Sequence, residues 1–292
     1  MRRSRRSRTL LLPALLAGAM AATAGAHAPA APPAGAQAST VSDTLPTPTR
    51  QAGAVDLAHW MEQLRPQIGT RPLNRIAMPG SHDAGSWSIH DGSGLCRSGD
   101  TYDVSRVWPG LAASMAHTQS RPIVDQLDAG ARYIDLRLCY QDGQWYTYHG
   151  GLLGGAFFDG PSGTGEAASL ARWITGHPSE VVILGVRVTA DAAELPAARE
   201  DAMRRLKALL PGRTAPYGAP GTGGRTPTSP YEAFLSAGTN TVLVDTSGAV
   251  HDPQVWPAGT ASDRGSYGYP NPQWTDYLEA LFRPDVAKEK LP

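Results

Sequence analysis

From residue 55 onward the chain alternates short apolar runs with stretches of helical spacing. Leu57, Trp60, Met61 and Leu64 recur at the i, i+3, i+4 positions of an amphipathic helix, which predicts a helix over 55–65. RIAMPG at 75–80 reads as a strand ending in a turn, and 122–130 as a helix closed by Gly130. ARYIDLRLCY at 131–140 and QWYTYHG at 144–150 read as two strands joined by a tight Asp142-Gly143 turn. EAASLARWITGH at 166–177 is helical, and EVVILGVRV at 180–188 is the near-continuous apolar run of a strand buried on both faces of a parallel sheet. Residues 193–210 predict a helix, 240–246 a fifth strand and 274–282 a last helix, with no internal repeat. This alternation predicts an α/β fold, either a TIM-like (β/α) barrel or a doubly wound sheet. Five strands fall short of the eight in a closed barrel, so a barrel incomplete toward the C-terminus is expected.

The first residues have a different pattern. MRRSRRSR precedes the apolar run LLLPALLAGAM and small residues ending near AGAHA. A basic, then apolar, then small-residue order predicts a secretory signal peptide over 1–28, of the general or the twin-arginine type, and hence an exported protein. Pro13 and the many Ala and Gly residues weaken the alternative of a membrane anchor. Residues 29–53, rich in Ala, Pro, Ser and Thr, predict a flexible linker, which leaves 54–292 as the folded domain.

Composition narrows the class. A hydrophobic fraction of 41% with 7 Trp and 10 Tyr excludes a disordered chain, and 2 Cys exclude a disulfide-dense scaffold or a four-cysteine zinc site. The formal net charge is zero, but five of the 26 basic residues are the arginines of residues 1–8. Without them 21 basic residues face 26 acidic ones, so the body is mildly acidic and unsuited to nucleic acid or to docking on anionic lipid by charge alone.

The candidate chemistry collects at the ends of the apolar runs. His82 and Asp83 follow the first predicted strand, Asp135 and Arg137 share a face of the second, and His149 ends the third. Arg187 lies near the end of the fourth and Asp245 near the end of the fifth. Strand C-termini of a parallel α/β fold converge on its site. Two histidines, carboxylates and two arginines at one rim can move protons around a phosphate whose charge the guanidinium balances. Asp135 with Arg137 can also be read as a structural ion pair. His90, His117 and His251 read as solvated loop residues.

Four blocks also carry a family resemblance: IAMPGSHDAGS at 76–86, QLDAGARYIDLRL at 126–138, YHGGLL at 148–153 and HPSEVVILGVRV at 177–188. In this order and spacing they resemble the X domain of phosphatidylinositol-specific phospholipase C, in its secreted bacterial, metal-independent branch. The resemblance implies cleavage of phosphatidylinositol to diacylglycerol and a 1,2-cyclic inositol phosphate. It implies His82 as general base, His149 as general acid, Asp83 as partner of the acid and Arg137 as the phosphate contact. Asp135 would orient the site, and Arg187 and Asp245 would lie among substrate contacts. Calcium-dependent relatives have a carboxylate at the position of Arg137, so no cofactor or metal is expected. The family's late aspartate that holds the general base has no recognisable counterpart, which leaves the carboxylate partner of His82 open.

Cys96 and Cys139 are an even pair in a chain expected to be exported, which points to one disulfide, with two buried thiols as the alternative. The loop 151–163 reads as exposing Leu152, Leu153, Phe157 and Phe158, with Trp108 in another loop, as apolar contacts to a membrane or as ordinary core. The expected partner is a phosphatidylinositol-type lipid at a membrane surface, with no nucleic acid and a monomeric chain. Two other functions fit the same residues: a glycerophosphodiester phosphodiesterase, which needs metal-binding carboxylates, and a non-catalytic lipid-binding module.

Overall fold

The computed structural model describes residues 55–159, 165–219 and 221–260. The predicted signal peptide, the linker and the helix at 274–282 lie outside them. The helical start at 55–65 is broken into a 3-10 turn at Leu57–His59 and two short helices, α1 (Trp60–Gln63) and α2 (Arg65–Ile68). Pro66 explains the break: it sits in the first turn of α2, where its missing N–H costs nothing, but it cannot continue α1.

The strand expected at 75–80 shrinks to β1 (Gly80–Ser81), preceded by a 3-10 turn at Leu73–Arg75. Pro79 has no N–H for a ladder, and its carbonyl instead accepts from the backbone of Arg132 and Tyr133. Two helices not foreseen follow, α3 (Tyr102–Val107) and α4 (Pro109–Ala116), and then α5 (Ile123–Asp128). Strand β2 (Tyr133–Gln141) turns through Asp142-Gly143 into β3 (Gln144–His149), with Gln141 opposite Gln144.

Over its described residues, 151–159, the next segment follows the core alternative and not the exposed one. Leu152–Ala156 form β4, antiparallel to β3, and Leu152, Leu153 and Phe157 are buried. Its glycines hid the strand from a pattern reading. Gly154 is there for close approach, since a Cβ would come within 2.3 Å of Thr147 Oγ1. Helix α6 (Glu166–Gly176), strand β5 (Val182–Thr189), helices α7 (Leu195–Leu209) and α8 (Tyr231–Ser236) and strand β6 (Thr241–Asp245) complete the described elements.

The sheet thus has six strands where five were expected, in the order β4-β3-β2-β5-β6, with β1 also on β2. Among the described residues it does not close into a barrel. Strands β1, β2, β5 and β6 are parallel, whereas β3 and β4 run antiparallel to their neighbours. On one face Ile134, Leu136, Leu138, Leu184, Val186 and Leu243 pack against α5, α6 and α7 through Leu127, Leu170, Ile174 and Leu206. On the other, Ile183, Val242 and Val244 meet Met61, Tyr231, Phe234 and Trp256. Burying one such large side chain contributes about 1.5–3 kcal/mol, so both layers hold β2 and β5 firmly from either side.

Between the layers Arg132 and Glu180 form a fully buried ion pair. Arg132 also donates to the carbonyls of Leu57, Ala58 and Leu127, while Glu180 accepts from the N–H groups of Met61 and Glu62. These bonds tie the N-terminal turns to the sheet and satisfy both charges, as burial requires.

Candidate active site

Strand β2 pairs with β5 along one edge. Its other edge is shared: β1 takes Tyr133 and Ile134, and β3 takes Leu138 to Gln141. Because β1 is parallel and β3 antiparallel, both run toward the middle of β2 from opposite directions. The residues just past β1, His82 and Asp83, therefore meet the residue that ends β3, His149, beside Asp135 and Arg137. The sequence reading expected convergence at strand C-termini. The antiparallel course of β3 makes this instead a meeting over the middle of β2.

Local backbone fixes the first pair. Asp83 has φ 50° and ψ 47°, a left-handed conformation uncommon outside glycine, and it starts a 3-10 turn at Ala84–Ser88. Its N–H donates to Asp135 Oδ2 at 3.1 Å, which holds the bend. Gly85 lets the turn lie flat on β3: a Cβ there would come within 2.4 Å of Thr147 Cγ2, and Thr147 Oγ1 donates to the Gly85 carbonyl at 2.9 Å.

The charged groups form one network. His82 Nδ1 lies 2.9 Å from Asp135 Oδ2 and its Nε2 lies 3.1 Å from Asp83 Oδ2. His149 Nε2 approaches the same Asp83 oxygen at 3.3 Å. Arg137 Nε is 2.7 Å from Asp83 Oδ1, and its Nη2 is 3.1 Å from Asp135 Oδ2. The contacts to Asp83 are at ion-pair range, without hydrogen-bond alignment to its carboxylate oxygens. Asp83, Asp135 and Arg137 are buried, whereas the His82 side chain is 48% exposed. The buried anions and guanidinium are thus a fixed floor, and His82 is the group open to a ligand.

Protonation follows from this floor. The hydrogen bond to Asp135 raises the His82 imidazole above its ordinary value; burial works against that, and the charge on Asp83 adds to it. Burial alone would raise Asp135, but His82, Arg137 and the Asp83 N–H outweigh it and hold the carboxyl below its usual range. His149 Nδ1 sits 2.9 Å from the carbonyl of Ala116 at the end of α4, so both of its ring nitrogens face oxygens.

Of the sequence-predicted residues, His82, Asp83, Asp135, Arg137 and His149 are brought together. Asp135 lies beneath His82 and Arg137 and orients them from below. Arg187 is the register partner of Arg137 across β5 and pairs with Asp100 at 3.0 Å, beside the cluster. Asp245 does not join: it lies on the opposite strand face, with Leu243. Its carboxylate is spent on its own turn, accepting from the backbone of Ser247, Ala249 and Val250 and from Ser247 Oγ. Cys96 and Cys139 are bonded to each other, which ties the segment before α3 to the end of β2. Three contributors had no signal in the sequence. Gln119 Nε2 donates to the His82 carbonyl at 2.7 Å, Ala116 holds His149, and Asp100 holds Arg187. All three lie in the segment between β1 and α5, whose folding depends on tertiary contacts.

Ligand atoms of His82, Asp83 and Asp135 lie within 4.8 Å of one another, a spacing that suits a metal ion. The Arg137 guanidinium already bridges both carboxylates and would repel a cation.

No family model matches the chain. Among curated proteins, PI-PLC X domain-containing protein 1 of Mus musculus is 31% identical over 142 residues, covering 45% of this chain and 39% of that protein. PI-PLC X domain-containing protein 2 of Homo sapiens is 30% identical over 154 residues, covering 50% of this chain and 48% of its own. The chain thus spans less than half the length of these relatives. Among solved structures, the phosphatidylinositol-specific phospholipase C from Listeria monocytogenes aligns with a TM-score of 0.44 at 19% identity, over 68% of this chain and 61% of that one. A Staphylococcus aureus phosphatidylinositol-specific phospholipase C aligns at 0.41 and 17%, over 64% and 52%. Over these stretches the chain is similar to PI-PLC X domain-containing proteins.

Proposed function

We propose that this protein is a phosphatidylinositol-specific phospholipase C that acts by acid–base phosphoryl transfer and needs no metal. His82 Nε2 takes the proton of the inositol 2-hydroxyl as that oxygen attacks the adjacent phosphorus. The bond from phosphorus to the diacylglycerol oxygen breaks, and His149 returns a proton to that oxygen. The products are diacylglycerol and a 1,2-cyclic inositol phosphate. Arg137 balances the charge on the phosphoryl oxygens, and Asp135 holds the base through Nδ1. Nucleophile and phosphate share one ring, so the attack is intramolecular and gains the corresponding effective concentration.

The observation that carries this reading is that both imidazoles direct Nε2 at one carboxylate oxygen of Asp83, which Arg137 contacts from its other oxygen. A base, an acid and a fixed cation around one small volume are what a cyclising phosphodiester needs. Export and action as a monomer at a membrane surface are part of the same proposal.

The test is the purified chain with phosphatidylinositol vesicles in EDTA, followed by phosphorus NMR. The cyclic phosphate should appear, and His82→Ala or His149→Ala should abolish it. The spacing of His82, Asp83 and Asp135 favours one second reading, a metal-dependent glycerophosphodiester phosphodiesterase. Activity that vanishes in EDTA and returns with calcium or magnesium would select that reading.

A further inference from the structure

The block QLDAGARYIDLRL opens on a residue to which the proposed reaction gives no role, Gln126. It lies in α5 and is buried. Its side chain holds both ends of the turn that carries His82 and Asp83. Oε1 accepts from Ser81 Oγ, on the residue before His82. Nε2 donates to the carbonyl of Ala84, the residue after Asp83, at 2.9 Å. The same nitrogen donates to the carbonyl of Arg121 at 2.6 Å, so both of its hydrogens are used.

The backbone of Gln126 reaches the other half of the site. Its carbonyl accepts from the Ala131 N–H at 3.0 Å, just before β2 begins. Strand β2 then carries Asp135, which meets His82 Nδ1 and accepts from the N–H of Asp83. One residue therefore ties the His82 turn and the strand bearing its carboxylate to the same point. The position is chemically narrow. It needs an acceptor for a hydroxyl and two hydrogens for two carbonyls, which at this length only a glutamine amide supplies. Buried bonds of this kind are stronger than in water, and a fully satisfied network rigidifies what it joins. The turn needs that support, because Asp83 at φ 50° is in a region kept where surrounding contacts over-determine the backbone.

We propose that Gln126 is a positioning residue for the candidate site: by clamping Ser81 and Ala84 it sets where His82 and Asp83 stand against Asp135 and His149. The catalytic consequence rests on the phospholipase reading, whereas the placement of His82 is measured without it. Gln126 touches no reacting atom. A displacement of about 1 Å is enough to cost on the order of 10²-fold in rate. The loss should fall on kcat more than on KM, because the base moves while Arg137, the proposed phosphate contact, stays on β2.

The experiment uses the full chain with Gln126→Leu, Gln126→Glu and Ser81→Ala, each assayed at a temperature where circular dichroism shows it folded. The His82 imidazole is titrated by NMR, its signal assigned by its loss in His82→Ala. Cleavage is read as cyclic phosphate formed from phosphatidylinositol vesicles. In Gln126→Leu the His82 value should fall toward the ordinary value of about 6.5. Its kcat should drop by about tenfold to a hundredfold, with KM changed by less than about threefold. Gln126→Glu keeps the shape and the acceptor, but once ionised it turns an oxygen toward two carbonyls. Burial raises the pH at which that happens, so its kcat/KM relative to wild type should decline by about tenfold between about pH 5.5 and about pH 8.5. Ser81→Ala releases one end of the turn and should move His82 in the same direction by less. A lowered melting temperature with His82 titration, kcat and pH profile all as in wild type overturns the proposal, since Gln126 would then support the fold alone. Should Gln126→Leu fail to fold, the pH profile of Gln126→Glu and the His82 titration in Ser81→Ala decide by the same standard. If the wild type forms no cyclic phosphate yet His82 titrates lower in the variants, the catalytic reading fails and the placement of His82 by Gln126 stands.

Discussion

His82 Nδ1 lies 2.9 Å from Asp135 Oδ2, so the histidine and its orienting carboxylate both belong to the first half of the fold, just past β1 and within β2. The sequence reading left the carboxylate partner of His82 open. In the structure Asp135, two residues from Arg137 on the same strand face, stands at that position.

The pH dependence of cleavage follows from that bond. Asp135 raises His82, and a base must be neutral to act, so the acidic limb of kcat/KM should fall above the ordinary imidazole value of about 6.5. Asp135→Asn should move that limb to lower pH and lower the plateau by roughly 10²-fold or more. A pH–rate profile whose limb stays put in the variant would separate the two residues functionally.

Stability should respond to the same pair. A histidine raised in the fold stabilises it fully below about 6.5, and that contribution is lost as pH rises through the raised value. The lowered Asp135 stabilises the fold above about 3.9, and its contribution is lost as pH falls through the lowered value. Urea midpoints measured across pH should therefore lose less on either side in Asp135→Asn than in the wild type.

Arg137→Ala should leave two buried carboxylates facing each other with only the histidines to balance them. Breaking a buried pair in this way costs about 3–5 kcal/mol, so a clear drop in the thermal midpoint is expected together with loss of cleavage. Arg137→Lys should recover part of the stability but not the two-sided contact to Asp83 and Asp135. Differential scanning calorimetry of both variants checks this.

Glu180→Ala should be as damaging far from the site, because it strands Arg132. A cost of about 3–5 kcal/mol is again expected, whereas replacing both residues by apolar ones of similar size should be much milder. A double-mutant cycle in urea is the measurement.

Reducing the Cys96–Cys139 bond opens a covalent loop with a sequence separation of 43. The expected loss is about 2–4 kcal/mol. Both α4, which holds His149, and Asp100, which holds Arg187, lie within that loop, so cleavage should fall along with the melting temperature. Melts and assays with and without reductant, followed by alkylation, decide it.

The parallel core was legible because β2, β5 and β6 are dense in β-branched and leucine residues and α6 and α7 have clear helical spacing. The site residues were legible through histidines and charges flanking those strands. What escaped shares one cause: local pattern and tertiary role disagree. Glycines in β4 masked a strand that exists only because Thr147 and its neighbours demand close approach. The large apolar residues of α3 and α4 and of the link between them, Val104, Val107, Trp108, Leu111 and Met115, point away from the core. Asp245 ends its strand as expected, yet the alternation of side chains turns it to the other face, where its own turn claims it.

The divided edge of β2 has an architectural consequence. Residues 135–137 pair with β5 on one side, and on the other fall between the last residue paired with β1 and the first paired with β3. That stretch of edge is taken by the left-handed turn at Asp83, whose N–H bonds the Asp135 side chain instead of extending the ladder. Continuing β1 in register would draw His82 and Asp83 into the ladder and part them from His149. A redesign that optimised strand pairing alone would therefore dismantle the cluster.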